Sequence, residues 1–318
     1  MLRRFAALAV LAAFAAMGSA PPGHSSAGAP IDPALPFLRT LAAVASDGLP
    51  PSATLSATSV YQGGASLITV SEGVTGTATV FGRAYALQPD GFGLAGFVGI
   101  GTEDPPGPAV VTIDYLTIRG EPNRIASPII VLRTQWTVDY ITIPPAPPPD
   151  PNAPPPPPPP PDETALLPVV YSGLTARKWT EHWVAPVPGP IVPAIISSYF
   201  GEQRSFNGGP VGGHHGGTDF AANAGTPIFA TNSGVVVLSG RYLVRGNLVV
   251  VDHGGGVFSS YGHMEQRLVS EGDVVVKGQL IGLVGTTGVS TGPHLHWEMS
   301  VGGVRVDGLR WLDFTQGF

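Results

Sequence analysis

Short β-type runs, not long amphipathic ones, organise this chain. Between residues 52 and 143, stretches rich in Val, Ile, Thr, Tyr and Phe recur at 53–61, 66–70, 77–85, 109–118 and 129–143. Turns such as Gln62-Gly63-Gly64 and Asp104-Pro105-Pro106-Gly107 separate them. Regularly spaced short strands predict an antiparallel sandwich or small barrel of about 90 residues. A second series occupies 234–239, 247–253, 257–263, 273–276, 280–284 and 294–300, with Gly254-Gly255-Gly256 as a hairpin turn. No long segment carries a 3.6-residue period, so helices are minor. The pattern predicts a mainly β chain: an N-terminal β-sandwich-like domain, a Pro-rich linker and a C-terminal β-rich domain.

Composition sharpens the boundaries. The 318 residues include 43 glycines and 35 prolines, a share at which low complexity becomes a concern. An apolar fraction of 43% with 12% charged residues argues against a charge-swollen disordered chain. Proline is concentrated in two places. Residues 21–51 read as a disordered tether, with one short helix expected near 36–45. Residues 144–163 include an unbroken proline run at 154–161, which can neither pair as a strand nor continue a helix. At ~3.1 Å per residue in polyproline II, this spacer spans on the order of 50 Å. It separates an accessory β-rich domain at 52–143, without clustered titratable groups, from a domain at 164–318.

Residues 1–20 combine Arg3 and Arg4, an apolar run from Phe5 to Met17 and a Gly18-Ser19-Ala20 end. That is the layout of a secretory signal, cut after Ala20, and the run is too short to span a bilayer. Later apolar runs are all interrupted by Gly, Pro or polar residues, so no stable membrane insertion is expected after cleavage. The predicted location is secreted or cell-envelope. A net charge of −6 argues against a nucleic-acid partner. With no cysteine, disulfides, iron–sulfur clusters and thiol catalysis are excluded, and a metal site would need His, Asp or Glu.

Six of the eight histidines fall between His214 and His296. One cluster is His214-His215-Gly216-Gly217-Thr218-Asp219 in a Gly-rich loop. The other is Gly292-Pro293-His294-Leu295-His296-Trp297-Glu298. On a strand, His294 and His296 share one face. Two imidazoles on a strand face, with an imidazole and a carboxylate from a distant loop, can build a divalent-metal site; three protein ligands leave a position open for reactive water. There is no His-Glu-x-x-His helix.

These motifs resemble the lysostaphin/LytM-type zinc metallopeptidases, secreted enzymes that cut peptide cross-links of bacterial peptidoglycan. The family's His-x-x-x-Asp loop is matched by His215-Gly216-Gly217-Thr218-Asp219, and its His-x-His strand by His294-Leu295-His296. Gly288-Val289-Ser290-Thr291-Gly292-Pro293 precedes the latter, and Tyr261-Gly262-His263 matches a Tyr-x-His element. The likeness covers roughly 197–312. It implies a LytM-type β-sandwich/barrel-like peptidase domain that binds one Zn2+ per chain through His215, Asp219 and His296. His263 and His294 become the unligated catalytic histidines. The implied activity is hydrolysis of peptidoglycan stem peptides or cross-bridges by a zinc-activated water, with peptidoglycan peptides as partner. The alternative is a non-catalytic envelope scaffold or an activator of wall hydrolases. Glu298 is expected to support the site and His253 to be structural, while Arg204 and Tyr199 fall on the expected cleft wall.

Overall fold

Side chains alternate between core and solvent where the sequence predicts strands. Val111, Ile113 and Tyr115 are buried while their neighbours Val110 and Leu116 are exposed, as period-two pleating requires. The computed structural model describes residues 52–91, 93–143, 158–179, 182–187 and 196–312. The predicted signal, the tether at 21–51 with its short helix, and most of the proline-rich linker lie outside the described residues.

The first sheet contains β1 (Ala53–Leu55), β2 (Ser59–Tyr61), β3 (Ala65–Ser71), β4 (Gly73–Val80), β5 (Arg83–Asp90), β6 (Gly93–Gly99), β7 (Gly107–Thr117) and β8 (Pro122–Leu132). Its order is β1-β3-β6-β5-β4-β7-β8-β2. Strand β5 changes partner midway: Arg83–Leu87 pair with β4 and Gln88–Asp90 with β6, which folds the sheet into two layers. The run predicted as one strand at 77–85 is a hairpin instead. Phe81 and Gly82 both have positive φ, 50° and 73°, as a tight two-residue turn demands. Strand β6 was not expected, because its Gly- and Ala-rich sequence has low strand preference. It exists because the backbone runs close beneath its neighbours: a Cβ at Gly96 would lie 2.7 Å from Leu87.

The run predicted at 129–143 splits. After β8 the chain resumes as β9 (Val138–Ile141), which pairs in parallel with β11 (Gln203–Phe206). Beyond the proline-rich segment come the short helix α1 (Leu166–Tyr171) and β10 (Ile196–Ser198). The second sheet is then completed by β12 (Thr218–Ala221), β13 (Pro227–Phe229), β14 (Gly234–Tyr242), β15 (Gly246–Gly254), β16 (Val257–Arg267), β17 (Val274–Val275), β18 (Leu280–Val284), β19 (His294–Val301) and β20 (Val304–Val306). Helix α2 (Leu309–Leu312) follows.

The main path through the second sheet is β10-β12-β19-β16-β15-β14-β17. Strand β16 curls it. Residues Val257–Gly262 pair with β19, and Met264–Arg267 pair with β18. His263 sits at the switch with φ 59°. One buried apolar cluster runs through both sheets. At the seam, Phe97 of β6 packs against Trp179 and Trp311, with ring centroids 5.9 and 5.4 Å apart. Such pairs contribute about 0.5–1.5 kcal/mol each beyond the area they bury.

Candidate metal centre

Three adjacent strands carry the histidine motifs to one place. Strand β19 lies between β12 and β16, with Asp219 opposite His296 on one side and Gly262 opposite it on the other. The loop leading into β12 brings His215 alongside. Gly217 allows that approach, since a Cβ there would stand 2.4 Å from the Trp297 carbonyl oxygen.

Ligand atoms of His215, Asp219 and His296 lie within 4.8 Å of one another, and all three residues are buried. His215 Nε2 is 3.1 Å from His296 Nδ1 and 3.1 Å from Asp219 Oδ1. His296 Nδ1 is 2.7 Å from the same carboxylate oxygen. The opposite atom of each group is held elsewhere. His215 Nδ1 donates to the Tyr199 carbonyl at 3.0 Å, with Ser198 Oγ at 3.2 Å. His296 Nε2 donates to Glu298 Oε1 at 2.9 Å. Asp219 Oδ2 accepts from Arg204 Nη2 at 2.8 Å. These assignments of ring protons follow from the acceptors opposite them.

Two nitrogen acceptors and one carboxylate oxygen therefore converge on a point that calls for a cation. The electrostatics agree. Burial disfavours charge on His296, but hydrogen bonds to Asp219 and Glu298 outweigh it and raise its pKa above the ordinary value. Burial lowers the His215 pKa, against the pull of Asp219. Burial would raise that of Asp219, but hydrogen bonds from His215 and His296 hold it well below the carboxylate range. A metal ion answers that demand, and two imidazoles with one carboxylate suit zinc. The residues present fit such an ion.

His263 and His294 flank this cluster. Their rings are 4.6 Å apart, and His263 is 5.8 Å from the His296 ring. Nδ1 of His263 is anchored on the Thr287 carbonyl at 2.8 Å and Nδ1 of His294 on the Gly292 carbonyl at 2.8 Å. Each keeps Nε2 as a proton acceptor; that of His294 lies 3.8 Å from Asp219 Oδ1. Burial, reinforced by the charge on His296, pushes the His263 pKa down to about 3.

All five residues singled out from sequence thus meet in one cluster. His214 lies apart, with Nδ1 on the Gly201 carbonyl at 2.6 Å and Nε2 3.1 Å from Glu103. His253 is buried away from it, between the Ser233 carbonyl and Ser259 Oγ. Arg204 is engaged with Asp219 and Ser198, and Tyr199 contributes its backbone carbonyl. Sequence reasoning missed Glu163 and Arg245, which stand behind Glu298; neither lies in a recognisable motif.

Residues 213–308 match Peptidase family M23. The peptidoglycan DD-endopeptidase ShyA of Vibrio cholerae is 45% identical over 96 residues, covering 30% of this chain and 22% of that protein. A DD-carboxypeptidase/endopeptidase, Mpg, of Neisseria meningitidis is 44% identical over 93 residues, 29% of this chain and 21% of that protein. The matched region spans about a fifth of these curated relatives. A solved Pseudomonas aeruginosa chain described as a candidate M23 peptidase superposes over 79% of this chain and 94% of its own, at 25% identity and a TM-score of 0.56. With the ordered histidine motifs and the curled sheet that unites them, these similarities establish that the chain carries a peptidase family M23 domain of the LytM/lysostaphin type.

Proposed function

We propose that this chain is a secreted, zinc-dependent endopeptidase that hydrolyses peptide bonds of peptidoglycan stem peptides or cross-bridges in the cell envelope. The observation carrying this reading is the convergence of His215 Nε2, Asp219 Oδ1 and His296 Nδ1 beside two further imidazoles. ShyA is by its name a peptidoglycan DD-endopeptidase, which supports the substrate class, and Mpg is by its name a DD-carboxypeptidase/endopeptidase. In this reading residues 1–20 direct export, and residues 52–143 form an accessory β-domain. Among the described residues, no helix is long and apolar enough to cross a membrane.

His215, Asp219 and His296 would hold one zinc ion. When bound, zinc supplies a Lewis acid for a carbonyl oxygen and lowers the pKa of water toward ~7. The protein's own groups do the rest. Nε2 of one flanking histidine takes the proton of the attacking water. Nε2 of the other, once protonated, stabilises the developing oxyanion or donates to the leaving amine. The backbone anchors at Nδ1 hold both rings in the tautomer that leaves Nε2 free. A complete donor set with both flanking histidines favours catalysis over the scaffold alternative.

The test compares release of soluble peptides from peptidoglycan sacculi by the mature chain with and without chelator, and by His296→Ala. The proposal expects release that both treatments abolish. Release that survives both would overturn the zinc mechanism.

A further inference from the structure

Glu163 follows directly on the proline-rich segment, 50 residues before the matched family region, yet its side chain is completely buried. Its carboxylate accepts two backbone N–H groups, from Val244 at 3.2 Å and Arg245 at 2.7 Å, and Arg245 Nη1 lies 3.4 Å away. Arg245 extends the chain of contacts in two directions. Its guanidinium donates to Glu298 Oε1 through Nε, at 3.0 Å, and through Nη2. Its carbonyl accepts the backbone N–H of His263 at 2.7 Å.

Glu298 Oε1 also receives His296 Nε2–H at 2.9 Å. Its other oxygen faces the Tyr171 hydroxyl at 3.1 Å, Arg305 Nε at 3.2 Å and Ser260 Oγ at 3.4 Å. The carboxylate is thereby fixed from several sides and can hold the His296 ring in one orientation. Carboxylates behind a ligating imidazole set its tautomer and raise its basicity. Arg245 matters twice, because the same residue also fixes the backbone of His263 at its left-handed φ of 59°. Few backbones take that conformation without support from their surroundings.

We propose that Glu163 is a positioning residue for the metal centre, acting through Arg245 on both His296 and His263. The segment entering the peptidase domain therefore completes the site rather than merely joining it to what precedes. This inference rests on the zinc reading above, and its test separates the two.

The mature chain and its Glu163→Gln and Arg245→Lys variants are purified metal-free. Zn2+ affinity is measured by competition with a chromogenic chelator, and the site is loaded with Co2+ for visible absorption. Circular dichroism and the thermal midpoint of the metal-free proteins report folding. Both variants should lose about tenfold or more in Zn2+ affinity and show an altered Co2+ spectrum while remaining folded. With muropeptide substrate, kcat should fall more than KM rises, because the His296 ring is loosened in both variants and the backbone holding His263 is loosened in Glu163→Gln. A lower midpoint with wild-type Zn2+ affinity and Co2+ spectrum in either folded variant would reduce Glu163 to a packing role and overturn the proposal. Should Glu163→Gln not fold, Arg245→Lys, which keeps the buried charge but loses the two-pronged contact, decides by the same readouts. If the wild-type chain itself binds no Zn2+, the zinc reading fails instead.

Discussion

His253 makes the stability of the second sheet sensitive to acid. Its ring is fully buried in β15, with Nδ1 2.8 Å from the Ser233 carbonyl and Nε2 2.7 Å from Ser259 Oγ. The edge of Trp183 packs against it at 4.8 Å between ring centroids. Burial strips water from the imidazolium and pushes the pKa from 6.5 down to about 4, against weaker opposition from the Ser233 carbonyl and Asp252. Between those values the unfolded chain binds a proton here that the folded chain does not. Stability is therefore complete above pH 7 and declines as pH falls toward 4. At ~1.4 kcal/mol per tenfold change in proton affinity, the loss is on the order of 3 kcal/mol. His253→Asn keeps a donor for the Ser233 carbonyl but cannot ionise; at pH 7.5 it should cost about 1–3 kcal/mol through the lost Ser259 contact and a small void. Urea unfolding of both metal-free proteins from pH 7.5 to 4, followed by tryptophan fluorescence, gives the comparison. The wild-type advantage should shrink by on the order of 3 kcal/mol and vanish or reverse near pH 4. Parallel curves for the two proteins would refute the reasoning.

The site itself yields further expectations. His263→Ala and His294→Ala should each keep one metal per chain by elemental analysis and lower muropeptide turnover by about 10²- to 10⁴-fold. His296→Ala should lose metal and turnover together. Chelation should lower the thermal midpoint reversibly; zinc at 1,000 times its Kd contributes ~4 kcal/mol, measurable by calorimetry. Gly201→Ala should destabilise by on the order of 3 kcal/mol in denaturant titration. Gly201 has φ 82°, and a Cβ there would fall 2.0 Å from the Trp136 ring.

The parts of the site that were legible in sequence are those set by local spacing. Period two places His294, His296 and Glu298 on one strand face, and the 2.9 Å contact from His296 to Glu298 is its direct consequence. The four-residue step from His215 to Asp219 likewise stays within one loop and strand. What was hidden depends on pairing across the fold. The registry of Asp219 opposite His296 joins positions 77 residues apart. Arg245 meets Glu163 across 82 residues and Glu298 across 53. Nothing local distinguishes a buried Glu after a proline run from an exposed one. In the first sheet, Phe81 reads as a strand former although its positive φ makes it a turn residue. Glycine-rich β6 has the opposite problem: its strand is enforced by close packing, with a Cβ at Gly99 falling 3.1 Å from Val304 of the second sheet.

In the proposed function, His215, Asp219 and His296 bind a metal with which His263 and His294 cleave a peptide bond of the cell wall. Mass spectrometry of defined cross-linked muropeptides incubated with the zinc-loaded mature chain tests it most directly, because it reads the bond as well as the substrate. The expected result is conversion of the cross-linked dimer to peptide products heavier in total by one water, in a reaction stopped by chelation, restored by Zn2+ and slowed by about 10²-fold or more in His294→Ala. Dimers left intact by a chain carrying one zinc per molecule would contradict it.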